Sequence, residues 1–320
     1  MANKYAVIFA CDHNYIWPAL IAANALVKAA GKPDFDVRIC STTFVPDGLA
    51  ELCEETVSAE VISMGDFIPK TGVTDRFSLS TFACLFAIEK IHQDYERVLY
   101  LDADISVRNA DLALLWNADM GSKPIAAVKD SMVWKTPRRG FEAYMVALGC
   151  SAERRDYFNS GCILVDCKRW KSGRYCQKIL ELLDEHPHLC KFHDQSAFNA
   201  VFAQNWAEIS YLWNWQLALK HNLILIETRD PHIVHFNLGT KPWDDPARLL
   251  PADSKIPFVD LFDKGVWPAL RADSLTGKVK PRKEAKTLGT LRKLHNTLPE
   301  YLLSVSAYLN RTDFIDFDQK

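Results

Sequence analysis

No Cys-x-x-Cys pair, no Gly-x-x-x-x-Gly-Lys loop, no Gly-x-Gly-x-x-Gly turn and no Gly-x-Ser-x-Gly elbow occurs in this sequence. Their absence argues against a paired-cysteine zinc site, a P-loop NTPase, a dinucleotide dehydrogenase and an elbow-type serine hydrolase. No run approaches the ~20 apolar residues a spanning helix needs. No basic segment followed by a long apolar one opens the chain, so no signal peptide is expected. A cytoplasmic protein, at most peripheral to a membrane, is the expectation. A surplus of one charge is also lacking. The formal net charge is -2, which gives no basic footprint for nucleic acid. The nine cysteines are odd in number and lie mostly in apolar runs such as Ile8-Phe9-Ala10-Cys11, which predicts buried free thiols.

What is present is an ordinary globular balance, 48% hydrophobic and 24% charged, over 320 residues. Tyr5–Ala10 is a continuous apolar run, as expected of a strand buried on both faces. Pro18 suits the first turn of a helix that runs to about Ala30 and is closed by Gly31. Further strands are predicted at 37–40, weakly at 61–62, and at 97–101, 125–128 and 162–165. Helices are predicted at 79–91 and from about Lys168 to Glu185. Strands alternating with helices predict an α/β fold, a mostly parallel sheet with helices on both faces. Ligands bind such sheets beyond the carboxyl ends of the strands. Asp12, Asp102, Asp104 and Asp130 all stand at predicted strand ends. Crowded carboxylates repel one another unless a cation joins them.

Asp102-Ala103-Asp104 follows a very apolar strand. Residues two apart in an extended segment point the same way, so the pair offers two hard oxygen ligands to Mn²⁺ or Mg²⁺. Taken alone, a strand-end turn explains it as well. His235 to Trp243 (His-Phe-Asn-Leu-Gly-Thr-Lys-Pro-Trp) gathers a histidine, Gly239 and Lys241 behind a short apolar run. Histidine ligates a borderline metal, glycine admits a phosphate to the backbone and lysine brings a point charge. A strand followed by a surface turn is the plainer explanation. Phe158-Asn159-Ser160-Gly161 reads as a turn before a buried strand, with side chains able to bond sugar hydroxyls. Asp194, in His193-Asp194-Gln195, is equally a helix N-cap.

The order Asp-x-Asn-Tyr after a strand, Tyr-Leu-Asp-x-Asp, Phe-Asn-x-Gly, Asp-Gln and His-Phe…Gly…Lys-Pro-Trp resembles the family 8 glycosyltransferases over about residues 4 to 245. That family includes bacterial lipopolysaccharide galactosyl- and glucosyltransferases and glycogenin. The resemblance implies a GT-A-type nucleotide-binding sheet, a UDP-sugar donor, Mn²⁺ and retention at the anomeric carbon. It implies that Asp12 and Asn14 contact the nucleoside and that Asp102, Asp104 and His235 hold the metal. By the same resemblance Asp130, Asn159, Asp194 and Gln195 surround the sugar, and Lys241 binds the diphosphate. Two departures stand out. Cys84 occupies a place where the family usually carries arginine, and Gly239 follows His235 by four residues where three is usual. Arg76, just before the helix, is the residue expected to compensate for Cys84.

The chain is expected to divide into a catalytic domain, 1–265, and a basic, helical tail, 266–320. From Lys278 to Lys293 the tail carries seven basic residues against one acid, Glu284. Leucines at helical spacing follow, and Pro299 is expected to split the segment into two helices. One reading is an interfacial helix on an anionic membrane near a glycolipid acceptor. The other is a helical pair packed on the catalytic domain. The function expected is hexosyl transfer, glucose or galactose, from a UDP-sugar to a glycan or glycolipid hydroxyl. The rivals are a catalytically degenerate protein that only binds a nucleotide-sugar, and a metal-dependent nucleotidyltransferase. The second lacks the glycine-rich basic loop that such chemistry usually places after its first strand.

Overall fold

In a computed structural model the chain is described over residues 3–62, 82–109, 111–134, 139–244, 250, 254, 256–258 and 281–311. Strand β1 (Tyr5–Cys11) leads into helix α1 (Ile16–Ala30), which ends at Gly31 with φ +68, a conformation glycine adopts freely. Strands β2 (Phe35–Ser41) and β3 (Val57–Val61) follow, then helix α2 (Ala83–Ile91) and strands β4 (Arg97–Leu101) and β5 (Ile105–Val107). Next come α3 (Ala113–Trp116), β6 (Ile125–Lys129), α4 (Arg139–Ala147) and β7 (Phe158–Asp166). The helix expected from Lys168 to Glu185 is two, α5 (Cys167–Gly173) and α6 (Tyr175–Glu185), because Arg174 between them is left-handed at φ +52. Gly173 permits that turn. A Cβ there would lie 2.3 Å from the Tyr175 ring. Helix α7 (His193–Val201), short strands β8 (Ala207–Glu208) and β9 (Trp215–Gln216), helix α8 (Asn222–Arg229) and strand β10 (Ile233–His235) follow.

Among the described residues, seven strands form one sheet in the order β3-β2-β1-β4-β7-β6-β8. All run parallel except β7, which is antiparallel to both β4 and β6. This reversal positions the site. The carboxyl ends of β1, β4 and β6 open on the same rim as the amino end of β7. Asn159-Ser160-Gly161, expected as a turn, is therefore part of a buried strand, Phe158–Asp166, whose first residues reach that rim. The register slips beside it: Ala127 pairs with Ile163 but Val128 with Asn159, so the residues between are released from the β6 ladder. A second sheet, β5-β10-β9, carries His235 to the same place, paired with Ile105.

Apolar side chains fill both faces of the large sheet. Phe9, Leu99 and Leu164 face one layer with α1; Ile8, Val98 and Ile163 face the other with α2, α6 and α7. The C-terminal helix α9 (Pro281–Leu309) is continuous through Pro299, so the expected break does not occur. Proline in a helix interior costs ~3 kcal/mol. Packing on both sides of it offsets that cost: Leu294 lies before it and Tyr301, Val305 and Tyr308 lie after it, all buried, and the last three join the core around α1. Among the described residues no helix is long and apolar enough to cross a membrane.

Candidate active site

The rim opens into a cavity of about 340 Å³ lined by Asp12, Tyr15, Cys84, Tyr100, Asp102, Asp104, Ser160 and Asp194 among others. Two of them, Asp102 and Asp104, converge with the buried His235. His235 Nε2 lies 3.4 Å from Asp102 Oδ2 and 3.3 Å from Asp104 Oδ1, and one ligand atom from each residue falls within 4.8 Å of the others. The alternation of strand side chains brings Tyr100 and Asp102 to one side, and the Tyr100 hydroxyl donates to Asp102 Oδ1 at 2.7 Å. Lys241 Nζ donates to Asp104 Oδ2 and, at 2.7 Å, to the Phe236 carbonyl.

Charge and burial act against each other here. Burial would lower the His235 pKa, yet Asp104 and Asp102 outweigh it and push the imidazole up to about 9. Burial alone would raise Asp104; His235 and Lys241 instead hold its carboxyl far below the usual range. Without a cation, a protonated histidine and a lysine neutralise the two aspartates. The donor set, two carboxylates and an imidazole, suits Mn²⁺ better than an all-oxygen ion such as Mg²⁺. Gly161 leaves the space beside it open: a Cβ there would fall 2.4 Å from His235 Cε1 and 2.6 Å from Asp102 Oδ2. The residues fit a divalent ion.

Behind the triad lies a network of buried amides. Asn159 Nδ2 donates to Asp130 Oδ2 and Gln195 Oε1, each at 3.0 Å, and Gln195 Nε2 donates to Asp130 Oδ2 at 3.1 Å. Asp130 Oδ1 accepts from the Met132 amide at 2.7 Å. Asp194 is not an N-cap. Helix α7 begins at His193, held left-handed at φ +52, and Asp194 sits in its first turn with Oδ1 accepting from the Gln195 amide. Burial pushes the Asp194 carboxyl up to about 8, and the charge of Asp102 adds to that.

A profile of glycosyl transferase family 8 matches residues 6–247. The chain belongs to glycosyl transferase family 8. General stress protein A of Bacillus subtilis is 32% identical to it over 165 residues, 48% of this chain and 54% of that protein. Glycosyltransferase GlyF of Streptococcus pneumoniae is 26% identical over 253 residues, 75% of this chain and 58% of GlyF. The lipopolysaccharide 1,2-glucosyltransferase of Escherichia coli is 26% identical over 180 residues, 53% of this chain and 51% of that enzyme. The chain thus spans about half the length of these curated relatives. Among solved structures, galactosyltransferase LgtC in complex with donor and acceptor sugar analogues superimposes with a TM-score of 0.62 at 19% identity, covering 83% of this chain and 100% of LgtC. Glycosyltransferase GlyE of Streptococcus pneumoniae does so with a TM-score of 0.55 at 21% identity, covering 82% of this chain and 64% of GlyE. At these identities the likeness is one of fold, the GT-A-type sheet.

Within this family 8 fold, the structure places Asp12, Asp102, Asp104 and Asp194 around one cavity. Asp130, Asn159 and Gln195 form a bonded group of their own, joined to the cavity wall where Gln195 Oε1 accepts from the Ser160 amide at 3.2 Å. His235 and Lys241 meet at Asp104. Asn14 is exposed and bonded to Asp12 through its backbone and side chain. Gly239 is exposed, does not line the cavity and has nothing within 4 Å of where a Cβ would stand. Cys84 is 2% exposed, and burial raises its thiol pKa well above the ordinary value, so it brings no charge to the wall. Arg76 lies outside the described residues. Sequence reading missed Asn214 and Gln216. Asn214 bonds both His235 and Asn159, while Gln216 accepts from the Ser131 amide and donates to the Lys129 carbonyl, both at 2.8 Å, straddling Asp130. Two amide side chains alternate with two tryptophans in Trp213-Asn214-Trp215-Gln216. Two amides in such an apolar run are the signal that was available.

Proposed function

We propose that this chain transfers a hexose, glucose or galactose, from a UDP-sugar to a hydroxyl of a glycan or glycolipid, with retention at the anomeric carbon and with a divalent cation, Mn²⁺ or Mg²⁺. The observation that carries this reading is the Asp102–Asp104–His235 cluster, whose two carboxylates line a cavity that Asp12, Tyr15, Ser160 and Asp194 also line. A divalent cation held by these three supplies positive charge where the departing diphosphate grows negative. Lys241, released from Asp104, is placed to add a second charge to the same oxygens. Asp12 and Asn14 serve the nucleoside, with the Tyr15 ring beside them. Asn159, Asp130, Asp194 and Gln195 serve the sugar.

Retention requires either a covalent sugar intermediate or attack from the face of departure. Gln195 is a poor nucleophile by chemistry, and its carbonyl oxygen already accepts from Asn159 Nδ2 and the Ser160 amide. Asp194, its carboxyl raised to about 8 chiefly by burial and then by Asp102, is a weak nucleophile at neutral pH. Same-face attack is the better route. The acceptor oxygen bonds to the anomeric carbon as the carbon–phosphate oxygen bond breaks, and the acceptor's proton passes to the leaving diphosphate.

The second reading, a protein that binds a nucleotide-sugar without turning it over, is favoured by the uncharged Cys84 wall. UDP release from UDP-glucose and UDP-galactose with Mn²⁺ separates the two. Measurable hydrolysis, even without acceptor, excludes the binding-only reading. A thermal shift with UDP-sugar but no UDP release across a glycan acceptor panel excludes transfer.

A further inference from the structure

The tautomer of His235 decides whether the triad can take a cation at all. A neutral imidazole carries its proton on one nitrogen and its lone pair on the other, and only the lone pair ligates. The buried hydrogen bonds around it can be followed from a group whose direction is certain. The Gly161 backbone N–H can only donate, and it lies 3.0 Å from Asn159 Oδ1. That identifies the Asn159 oxygen, and its Nδ2 correspondingly faces two acceptors, Asp130 Oδ2 and Gln195 Oε1. Asn214 approaches the same Asn159 oxygen at 2.9 Å, so it does so with Nδ2. Its Oδ1 is then the atom 2.9 Å from His235 Nδ1. An amide oxygen only accepts, and the proton must therefore sit on Nδ1. In the neutral imidazole, the form that ligates, Nε2 facing Asp102 and Asp104 therefore holds the lone pair. Asn214 is 1% exposed and His235 2%, so no solvent exchange relaxes the arrangement. Were Asn214 turned over, Nε2 would carry the proton toward the carboxylates and could not ligate.

We propose that Asn214 is a positioning residue: its carbonyl fixes His235 as a metal ligand, and its NH₂ ties that ligand to the sugar-side group Asn159–Asp130–Gln195. The inference rests on the metal reading of the triad. It explains why a polar side chain stands between two buried tryptophans, Trp213 and Trp215, where an apolar one would pack without a desolvation cost.

Two near-isosteric variants divide the roles. Asn214→Asp keeps an acceptor for Nδ1 but sets a carboxylate oxygen against the Asn159 oxygen. Asn214→Leu keeps neither bond. Metal-free protein is titrated with Mn²⁺ by electron paramagnetic resonance, and UDP-hexose hydrolysis is measured at saturating Mn²⁺. Asn214→Leu is expected to weaken Mn²⁺ by roughly 10–100-fold, the usual effect of losing a ligand's outer partner. Asn214→Asp is expected to hold the Mn²⁺ Kd within about threefold while kcat falls by about tenfold or more. A purely structural role would lower Tm without separating Kd from kcat. An unchanged Kd in Asn214→Leu overturns the proposal. If that variant does not fold, Asn214→Asp decides: a Kd weakened about tenfold overturns the His235 part, and an unchanged kcat overturns the link to Asn159. Failure of the parent chain to bind Mn²⁺ removes the metal reading itself, and this inference with it, before any variant is compared.

Discussion

Gly161 and His235 face each other across the two sheets so closely that a methyl on Gly161 would lie 2.4 Å from His235 Cε1. Real Cβ atoms do not approach so near, and both residues are held in strands, so the imidazole would have to move. Gly161→Ala is expected to weaken Mn²⁺ affinity by about tenfold or more and to destabilise the fold by ~1–3 kcal/mol, the range for overpacking a core. Titration of the purified variant with Mn²⁺, beside a thermal melt, checks both. Wild-type affinity would mean that His235 does not ligate.

Asp104 lies between His235 and Lys241, and both cations depend on it for compensation. Asp104→Asn is expected to abolish UDP-hexose hydrolysis and the Mn²⁺-dependent rise in Tm, because an ion that binds only the folded state stabilises it by mass action. EDTA should do the same to the parent chain. Full activity in EDTA would refute the metal role.

With the carbonyl oxygen of Gln195 already bonded twice, no glycosyl adduct is expected on this residue. Gln195→Ala should lower kcat by roughly 10–100-fold through loss of its bonds to Asp130 and Asn159, yet leave turnover measurable. Intact-protein mass spectrometry during turnover is the direct check. A hexose mass increment mapped to Gln195 would restore the covalent route.

The C-terminal helix α9 is stitched to the elements around the large sheet. The Tyr301 hydroxyl donates to Asn222 Oδ1 at 2.8 Å, the Tyr308 ring lies 4.1 Å from Trp134, and Arg311 pairs with Glu208 at 3.1 Å. Removing the residues after Asp273 would uncover these surfaces. Tyr308→Ala alone is expected to cost ~3–5 kcal/mol, as for other large aromatic truncations in cores, and the truncated chain should melt at lower temperature and bind a hydrophobic dye. A truncation that keeps its Tm but loses binding to anionic vesicles would instead return the tail to a membrane role.

Much of the site was readable because its residues follow local rules. Asp12, Asp102 and Asp130 each end an apolar run, and those runs put them at sheet ends, whereas His235 was marked by the order of the motifs. A strand was placed at 162–165, but the residues before it, which belong to the same strand, were read as a turn. Asparagine, serine and glycine favour turns locally, and only pairing with β4 and β6 overrides that preference. Pro299 misled in the same way. The rule that proline ends helices is local, and burial of Leu294, Tyr301 and Tyr308 on either side outweighs it.

From the sequence by itself came the α/β class, the strand-end carboxylates, the Asp102–Asp104 pair and the family, since hydrophobic period and motif order are carried by neighbours in the chain. The tertiary structure alone decided that β7 runs backwards, that Gly161 must lack a side chain, and that Asn214 reaches both His235 and Asn159. Those facts depend on contacts between residues 21 to 74 positions apart in the chain, such as Asn214 with His235 and Gly161 with His235. An amide's role follows from the partner it meets, and no period or spacing in the chain records that partner.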